Sequence, residues 1–181
     1  ATEKRMAAAV RAVGVDYVFD TNFSADLTIM EEGNEFLERM AHKDQYQWPM
    51  FTSCCPGWIS YCEENHPELL DHISTCKSPQ QMAGAMIKTY LAEKEGIDKD
   101  RIVVVSVMPC TAKKCELTRD DENAGGVPDV DFSITNRELG RMIERADIPF
   151  IALEDEDFDL DSDLEPVTQR SYVSLNQETE E

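Results

Sequence analysis

Apolar positions along the chain change their spacing several times. Short runs rich in β-branched or aromatic residues, "DYVFDT" at 16–21, "PMFTS" at 49–53, "RIVVVSVMP" at 101–109 and "VDFSIT" at 130–135, predict strands. Between them, apolar residues recur with helical spacing over 2–13, 25–41, about 57–66, 78–95 and 136–147, which predicts helices. Strand and helix therefore alternate, and the strands are continuously apolar. Such a chain is expected to form an α/β fold, a mainly parallel sheet flanked by helices. After about residue 153 the periodicity fades into "EDEDFDLDSDLE" and "PVTQRSYVSLNQETEE". This predicts one domain over 1–153 and a solvated acidic and polar tail over 154–181. No internal repeat interrupts the pattern.

Charge and length narrow the function classes. The chain has 181 residues, with Lys+Arg 17 against Asp+Glu 37 and a formal net charge of -20. That balance argues against nucleic acid or an anionic membrane as the main partner. The longest apolar run, "IVVVSVM" at 102–108, is too short to span a bilayer, and the charged start "ATEKR" is not a secretory signal, so a cytoplasmic location is expected. Ala1 in place of an initiating Met suggests processing or excision from something longer.

The cysteines change the picture most. They stand at 54, 55, 62, 76, 110 and 115, and without a secretion signal metal or redox use is a better reading than three disulfides. Two motifs hold most of them. "TSCCPGW" at 52–58 follows a predicted strand and enters a predicted helix, with Pro56 suited to the first helical turn. "MPCTAKKCE" at 108–116 follows the most apolar strand and also turns toward a helix. In parallel sheets, ligands gather where strands end and helices begin. Cys54, Cys55 and Cys110 are therefore expected at one edge of the sheet, near helix N-termini that favour thiolate. Zinc fits less well than an iron-sulfur group, because neither motif is a Cys-x-x-Cys knuckle and His42, His66 and His72 stand outside both loops.

A pair of carboxylates adds a second kind of chemistry. On the helix predicted over 25–41, Glu32, Glu35 and Arg39 share one narrow face flanked by Ile29 and Phe36. Leu27, Met30, Leu37 and Ala41 line another, with Glu31 and Glu38 nearer solvent. From spacing alone, Glu35 and Arg39 form an ordinary i,i+4 ion pair. Apolar neighbours would also raise the pKa of such carboxyls, suiting them to take and give protons near neutrality.

Both cysteine motifs resemble the first two of three signature loops of the iron-only, or [FeFe], hydrogenases. The likeness extends through "DTNFSADLTIMEE" at 20–32, "KSPQQM" at 77–82 and "VPDVDFSITNRELGRMI" at 127–143, and covers most of residues 1–153. Hydrogenase-like proteins of cytosolic iron-sulfur assembly share the Cys-Pro-Gly-Trp core but generally lack the first cysteine of the pair, so Cys54 favours hydrogenase. The resemblance implies an H-cluster, a [4Fe-4S] cubane joined through a cysteine sulfur to a di-iron unit bearing CO, cyanide and a bridging dithiolate amine. Cys55 and Cys110 match cubane ligands. Cys54 matches the thiol that hands protons to the bridging amine, and Glu32, Glu35 and Ser74 match the relay that supplies it. Lys113 matches a cyanide contact and Met108 a residue packed near the di-iron unit, while Ser53, Pro79 and Gln80 match further pocket positions and Glu116 completes the second motif. Cys62, Cys76 and Cys115 match no ligand. The implied reaction is 2H⁺ + 2e⁻ ⇌ H₂, with protons and H₂ as substrate and a redox partner such as a ferredoxin.

The departures from the family are equally specific. No cysteine follows Cys115, so the third loop, which supplies two further ligands, is missing, as are the family's N-terminal strand-helix segment and any ferredoxin-like domain. With two matched cubane ligands the chain alone is not expected to hold a stable H-cluster. A fragment, a degenerate paralogue and one part of a split enzyme, completed by a second chain carrying the third cysteine motif, all satisfy the sequence. A non-catalytic iron-sulfur binding, assembly or sensory protein on the same scaffold is the alternative function. The strong negative charge would repel acidic ferredoxins unless a partner or a local basic patch received them.

Overall fold

A computed structural model describes residues 2–120, 122–124 and 126–159, and the expectation for 160–181 lies outside them. The chain divides into two units, one spanning 27–136 and the other combining 1–26 with the stretch from 137 onward.

In the second of these units, helix α1 (Thr2–Val13) buries Ala7, Ala8 and Ala9. Helix α7 (Asn136–Arg145) buries Leu139 and Ile143, one turn apart on one face. The segment "DYVFDT" forms no strand. Val18 instead pairs its backbone with Asp159, donating to Asp159 Oδ2 at 2.6 Å and accepting from Asp159 N at 2.8 Å. The first residues of the acidic run, 154–157, are exposed as expected, yet they are tethered. Over 154–159 the run lies along α1: Arg11 bonds Glu156 at 2.9 Å and Asp159 at 2.7 Å, Lys4 pairs with Asp157, and Glu156 N donates to Lys4 O at 3.2 Å. Basic side chains on α1 thus pair with carboxylates that remain largely exposed to water.

Helix α2 (Thr21–Ala41) begins four residues earlier than its apolar spacing predicts. Asp20 is the reason: its Oδ1 accepts the Asn22 N–H at 2.9 Å and satisfies a donor at the helix start.

The unit over 27–136 carries the parallel sheet, and the sheet is smaller than expected. Strand β1 (Val105–Val107) pairs in parallel with β4 (Phe132–Ile134), in the register Val105 to Phe132, Ser106 to Ser133 and Val107 to Ile134. The "PMFTS" segment contributes a single parallel bridge from Phe51 to Ile73, and a short antiparallel pair joins β2 (Asn123–Ala124) to β3 (Val127–Pro128). Helix α3 (Pro56–Asn65) starts on Pro56, as the "CPGW" motif requires. The stretch predicted as one helix over 78–95 is α4 (Pro79–Met86), a π-helical turn over Ile87–Leu91 and α5 (Ala92–Glu95), ended by Gly96 in the left-handed region at φ 66. Gly84 is required where α4 meets the chain leading to β4, because a Cβ there would stand 2.2 Å from the Asp129 carbonyl oxygen. Helix α6 (Ala112–Glu116) follows β1 after the second cysteine loop.

Candidate functional site

The two cysteine loops meet through a lysine. Lys113, on α6, donates from Nζ to the Cys54 carbonyl oxygen at 2.8 Å. The same ammonium pairs with Glu116 one turn on, at 3.1 Å. Cys54, Cys55 and Cys110 are all exposed, and Cys55 sits at the N-cap of α3. Soft, accessible thiols beside helix starts suit iron-sulfur ligation. Among the described residues, however, no three His, Cys, Asp or Glu side chains come together as a metal would need. The donor set fits a cubane in part: two matched thiolates are half of the four it takes.

Glu116 anchors the loops to the sheet. It is 4% exposed, and its Oε2 accepts from Ser78 Oγ and from Gln80 Nε2, both at 2.9 Å. Gln80 in turn accepts from Ser106 Oγ at 2.7 Å and donates to the Lys113 carbonyl at 3.2 Å, so one side chain ties α4, β1 and α6 together. Gln80, expected as a pocket position, is 2% exposed and braces these elements. Pro79 opens α4, and Met108 follows β1 with its N–H on the Ile134 carbonyl at 2.9 Å.

The carboxylates form a hydrogen-bonded run between α2 and the extended segment 73–78. Arg39, 3% exposed, binds Glu35 Oε1 from two nitrogens at 3.0 and 2.6 Å and donates to the Ile73 carbonyl at 2.9 Å. Glu35 Oε2 accepts from Ser74 Oγ at 2.6 Å, and both carboxylate oxygens accept from Thr75 N. Cys76 comes next, its N–H on Ser74 Oγ at 3.1 Å and its Sγ 3.7 Å from Glu35 Oε2. Ser53 Oγ donates to the Cys76 carbonyl at 2.5 Å, and Glu32 Oε1 accepts from Ser53 N at 3.2 Å. The run thus passes from Arg39 to Ser53, the residue before Cys54. An open cleft of about 620 Å³ lies along it, lined among others by Ser53, Pro56, Ser74, Cys76 and Glu116.

Electrostatics correct one expectation here. Burial pushes Glu35 up, but hydrogen bonds from Ser74 and Arg39, then Thr75 and the Arg39 charge, outweigh it and hold the carboxyl below its ordinary value. Its neighbours are polar rather than apolar, so the expected upward shift does not occur. The Cys76 thiol moves the other way: burial raises its pKa, the Ser74 hydrogen bond lowers it, and the carboxylates of Glu35 and Glu32 add to the rise.

The supposed apolar side of α2 needs the same correction. Met30 and Leu37 are 51% and 66% exposed, whereas Thr28 and Arg39 are buried. Sequence reasoning missed the part played by Cys76, which matches no cluster ligand. Its signal is period two: in an extended segment, residues 74 and 76 share a side. Of the other unmatched cysteines, Cys62 is buried and Cys115 exposed.

Residues 1–173 match the family model described as iron only hydrogenase large subunit, C-terminal domain. The chain belongs to that family. This hydrogenase domain is 54% identical over 159 residues to the NADP-reducing hydrogenase subunit HndD of Solidesulfovibrio fructosivorans, covering 86% of the chain and 27% of that protein. A solved [FeFe]-hydrogenase of Chlamydomonas reinhardtii superposes with a TM-score of 0.83 at 46% identity, over 88% of the chain and 40% of the other. A probable cytosolic Fe-S cluster assembly factor of Aedes aegypti is 40% identical over 153 residues, which is 83% of the chain and 32% of that protein. The hydrogenase domain therefore spans well under half the length of the relatives it matches. No described helix is long and apolar enough to cross a membrane.

Proposed function

We propose that the chain provides two cluster-binding loops and a proton path to an iron-only hydrogenase site that interconverts 2H⁺ + 2e⁻ and H₂. The observation that supports this reading is the clustering of Arg39, Glu35 and Ser74 beside Ser53 and Glu32, joined through the main chain of Cys76 and reaching the residue before Cys54. Proton transfer requires a donor and an acceptor within hydrogen-bond reach at each hop, and Glu35 with Ser74 and Glu32 with Ser53 meet that requirement.

Cys55 and Cys110 would hold the cubane, and the H-cluster, when bound, would supply the hydrogen chemistry. The chain's own residues do the rest. Glu35, held ionised by Arg39 and Ser74, accepts a proton briefly and passes it on. The Ser74 hydroxyl, bonded to Glu35, can receive and release a proton by rotating, and Glu32, bonded to Ser53, is a second carboxylate next to the residue before Cys54. Cys54 is the last carrier, and Lys113 fixes the backbone of Cys54 while keeping a cation beside it. Electrons would come from a redox partner such as a ferredoxin.

Infrared spectroscopy of protein matured with the family's machinery, together with a polypeptide carrying the missing cysteines, tests the reading. Iron-bound CO and cyanide bands are expected, and Cys54→Ala should retain those bands while abolishing most turnover. Bands missing from a preparation in which a complete hydrogenase shows them would overturn the proposal. The likeness to assembly factors favours a second reading, a non-catalytic iron-sulfur protein. That reading predicts a cubane signal in electron paramagnetic resonance with no CO or cyanide bands.

A further inference from the structure

Helix α3 carries oxidisable rings away from the first cysteine loop. Cys55 caps the helix, Trp58 lies three residues on and Tyr61 three beyond that, so each stands beside the one before it. Trp58 and Tyr61 are stacked, with ring centroids 6.4 Å apart and planes 25° from parallel. Phe51 meets Trp58 edge-on, at 5.8 Å between centroids. The series ends on a base. Helix α3 stops at Asn65, and His66, held before Pro67 with its N–H on the Cys62 carbonyl at 2.8 Å, packs its ring against Tyr61. His66 Nε2 stands 3.2 Å from the Tyr61 hydroxyl, and its Nδ1 lies 3.0 Å from Glu68 Oε1. The backbone N–H of Glu68 and the His66 hydrogen bond hold that carboxyl below its ordinary value, so it is an acceptor only. In the neutral ring Nδ1 therefore carries the proton, and Nε2 offers its lone pair to the phenol.

We propose that Tyr61 is a redox-active residue that drains strong oxidising equivalents from the first cysteine loop through Trp58, with His66 taking its proton. The oxidant is an oxygen-derived radical, formed where oxygen meets a cluster held by Cys55. It takes one electron from the indole of Trp58, and Tyr61 replaces that electron. As the phenol is oxidised its O–H bond breaks: the proton passes to His66 Nε2, the phenoxyl radical stays on Tyr61, and the Glu68 carboxylate holds the imidazolium. Tyr61 is 50% exposed, so a thiolate in solution can then give one electron, becoming a thiyl radical, while the proton returns from His66. Packing explains the ring contacts but asks for no base on the phenol. A half-exposed hydroxyl has water at hand, yet this one meets an imidazole whose tautomer a carboxylate fixes, the arrangement that lets a phenol lose an electron and a proton together. The origin of the oxidant rests on the function proposed above, whereas the relay through Trp58, Tyr61 and His66 does not.

The test puts a photo-oxidant at Cys55. In the full chain carrying Cys54→Ser, Cys76→Ser, Cys110→Ser and Cys115→Ser, a ruthenium polypyridyl complex is attached to Cys55, while the buried Cys62 stays unlabelled. A flash with an electron acceptor present makes ruthenium(III). Transient absorption should then show a tyrosyl radical, and Tyr61→Phe should remove most of that signal. His66→Ala should slow its appearance about tenfold or more, and imidazole added to the buffer should restore the rate. Trp58→Phe should lower the yield several-fold, because the electron must then cross about 9 Å of helix from position 61 to position 55 in one step. The Tyr61 and His66 side chains are already part in water, so their variants should keep the melting temperature of the labelled parent. No tyrosyl signal, a signal that survives Tyr61→Phe, a rate indifferent to His66→Ala or a yield indifferent to Trp58→Phe would overturn the inference. A Tyr61 radical with the expected dependence, beside matured protein that lacks CO and cyanide bands, would uphold the relay and sink the hydrogenase reading instead.

Discussion

Helices α2 and α7 solve the same problem in opposite ways. Helix α7 buries Leu139 and Ile143 and keeps its charged residues outside, as an amphipathic helix should. Helix α2 turns Thr28, Glu32, Glu35 and Arg39 inward and leaves Ile29 and Leu37 61% and 66% exposed. The difference lies in what each face meets. Leu139 and Ile143 gain by leaving water, at about 25 cal/mol per Å² of apolar surface removed. Arg39 and Glu35 meet the hydroxyl of Ser74 and the backbone of Ile73 and Thr75, which replace the hydrogen bonds lost to water. Burying a polar face is therefore tolerable only as a complete network, and a network is what a proton path needs.

That contrast can be broken most severely at Glu35. Replacing it with Ala leaves the buried Arg39 guanidinium without its carboxylate, and the expected loss is about 3 kcal/mol or more, read as a drop in the thermal or urea midpoint. On α7, Leu139→Ala should cost about 2–4 kcal/mol through lost burial and the cavity left behind. A loss below about 1 kcal/mol there would mean that α7 is not held by its apolar face.

Acid titration sharpens the comparison further. The folded pKa of Glu35 lies below its unfolded value, which is about 4.3 for a free side chain. Its contribution is therefore present above the unfolded value and fades as pH falls through the folded one. Between about pH 5 and 3 the unaltered chain should lose stability more steeply than Glu35→Gln, whose side chain does not titrate. Parallel slopes in urea titrations at several pH values would contradict the assignment. The smallest effect belongs to the outer side of α2, where Leu37→Ala should change stability by less than about 0.5 kcal/mol. The same Leu→Ala substitution is thus expected to be severe on one helix and nearly silent on the other.

Much of the site was legible because its signals are local. The spacing "TSCCPGW" implies a strand-end loop entering a helix at Pro56, and α3 begins there. The two cysteine loops were expected at one sheet edge, and Lys113 of the second reaches the Cys54 carbonyl of the first at 2.8 Å. The i,i+4 spacing of Glu35 and Arg39 implied their ion pair, which forms at 2.6 Å. Signals that depend on distant partners were not legible. "DYVFDT" has strand composition, yet Val18 finds Asp159 rather than a strand because its backbone bonds are satisfied by the acidic run. Cys76 looked like an unremarkable thiol until Ser53, Ser74 and Glu35 converged on it from other segments.

By itself, then, the sequence determined that α3 starts at Pro56, which residues share a helix face, and which thiols stand in the two loops that enter helices. Capping, proline geometry and helical periodicity act over a few residues, so these features need no knowledge of the rest of the chain. Only the tertiary structure decided which face of α2 turns inward and that Glu35 is held ionised rather than neutral. Each of those depends on the partners a side chain meets across the fold, because burial favours an apolar group outright and a charged one only where hydrogen bonds and counter-charges replace water.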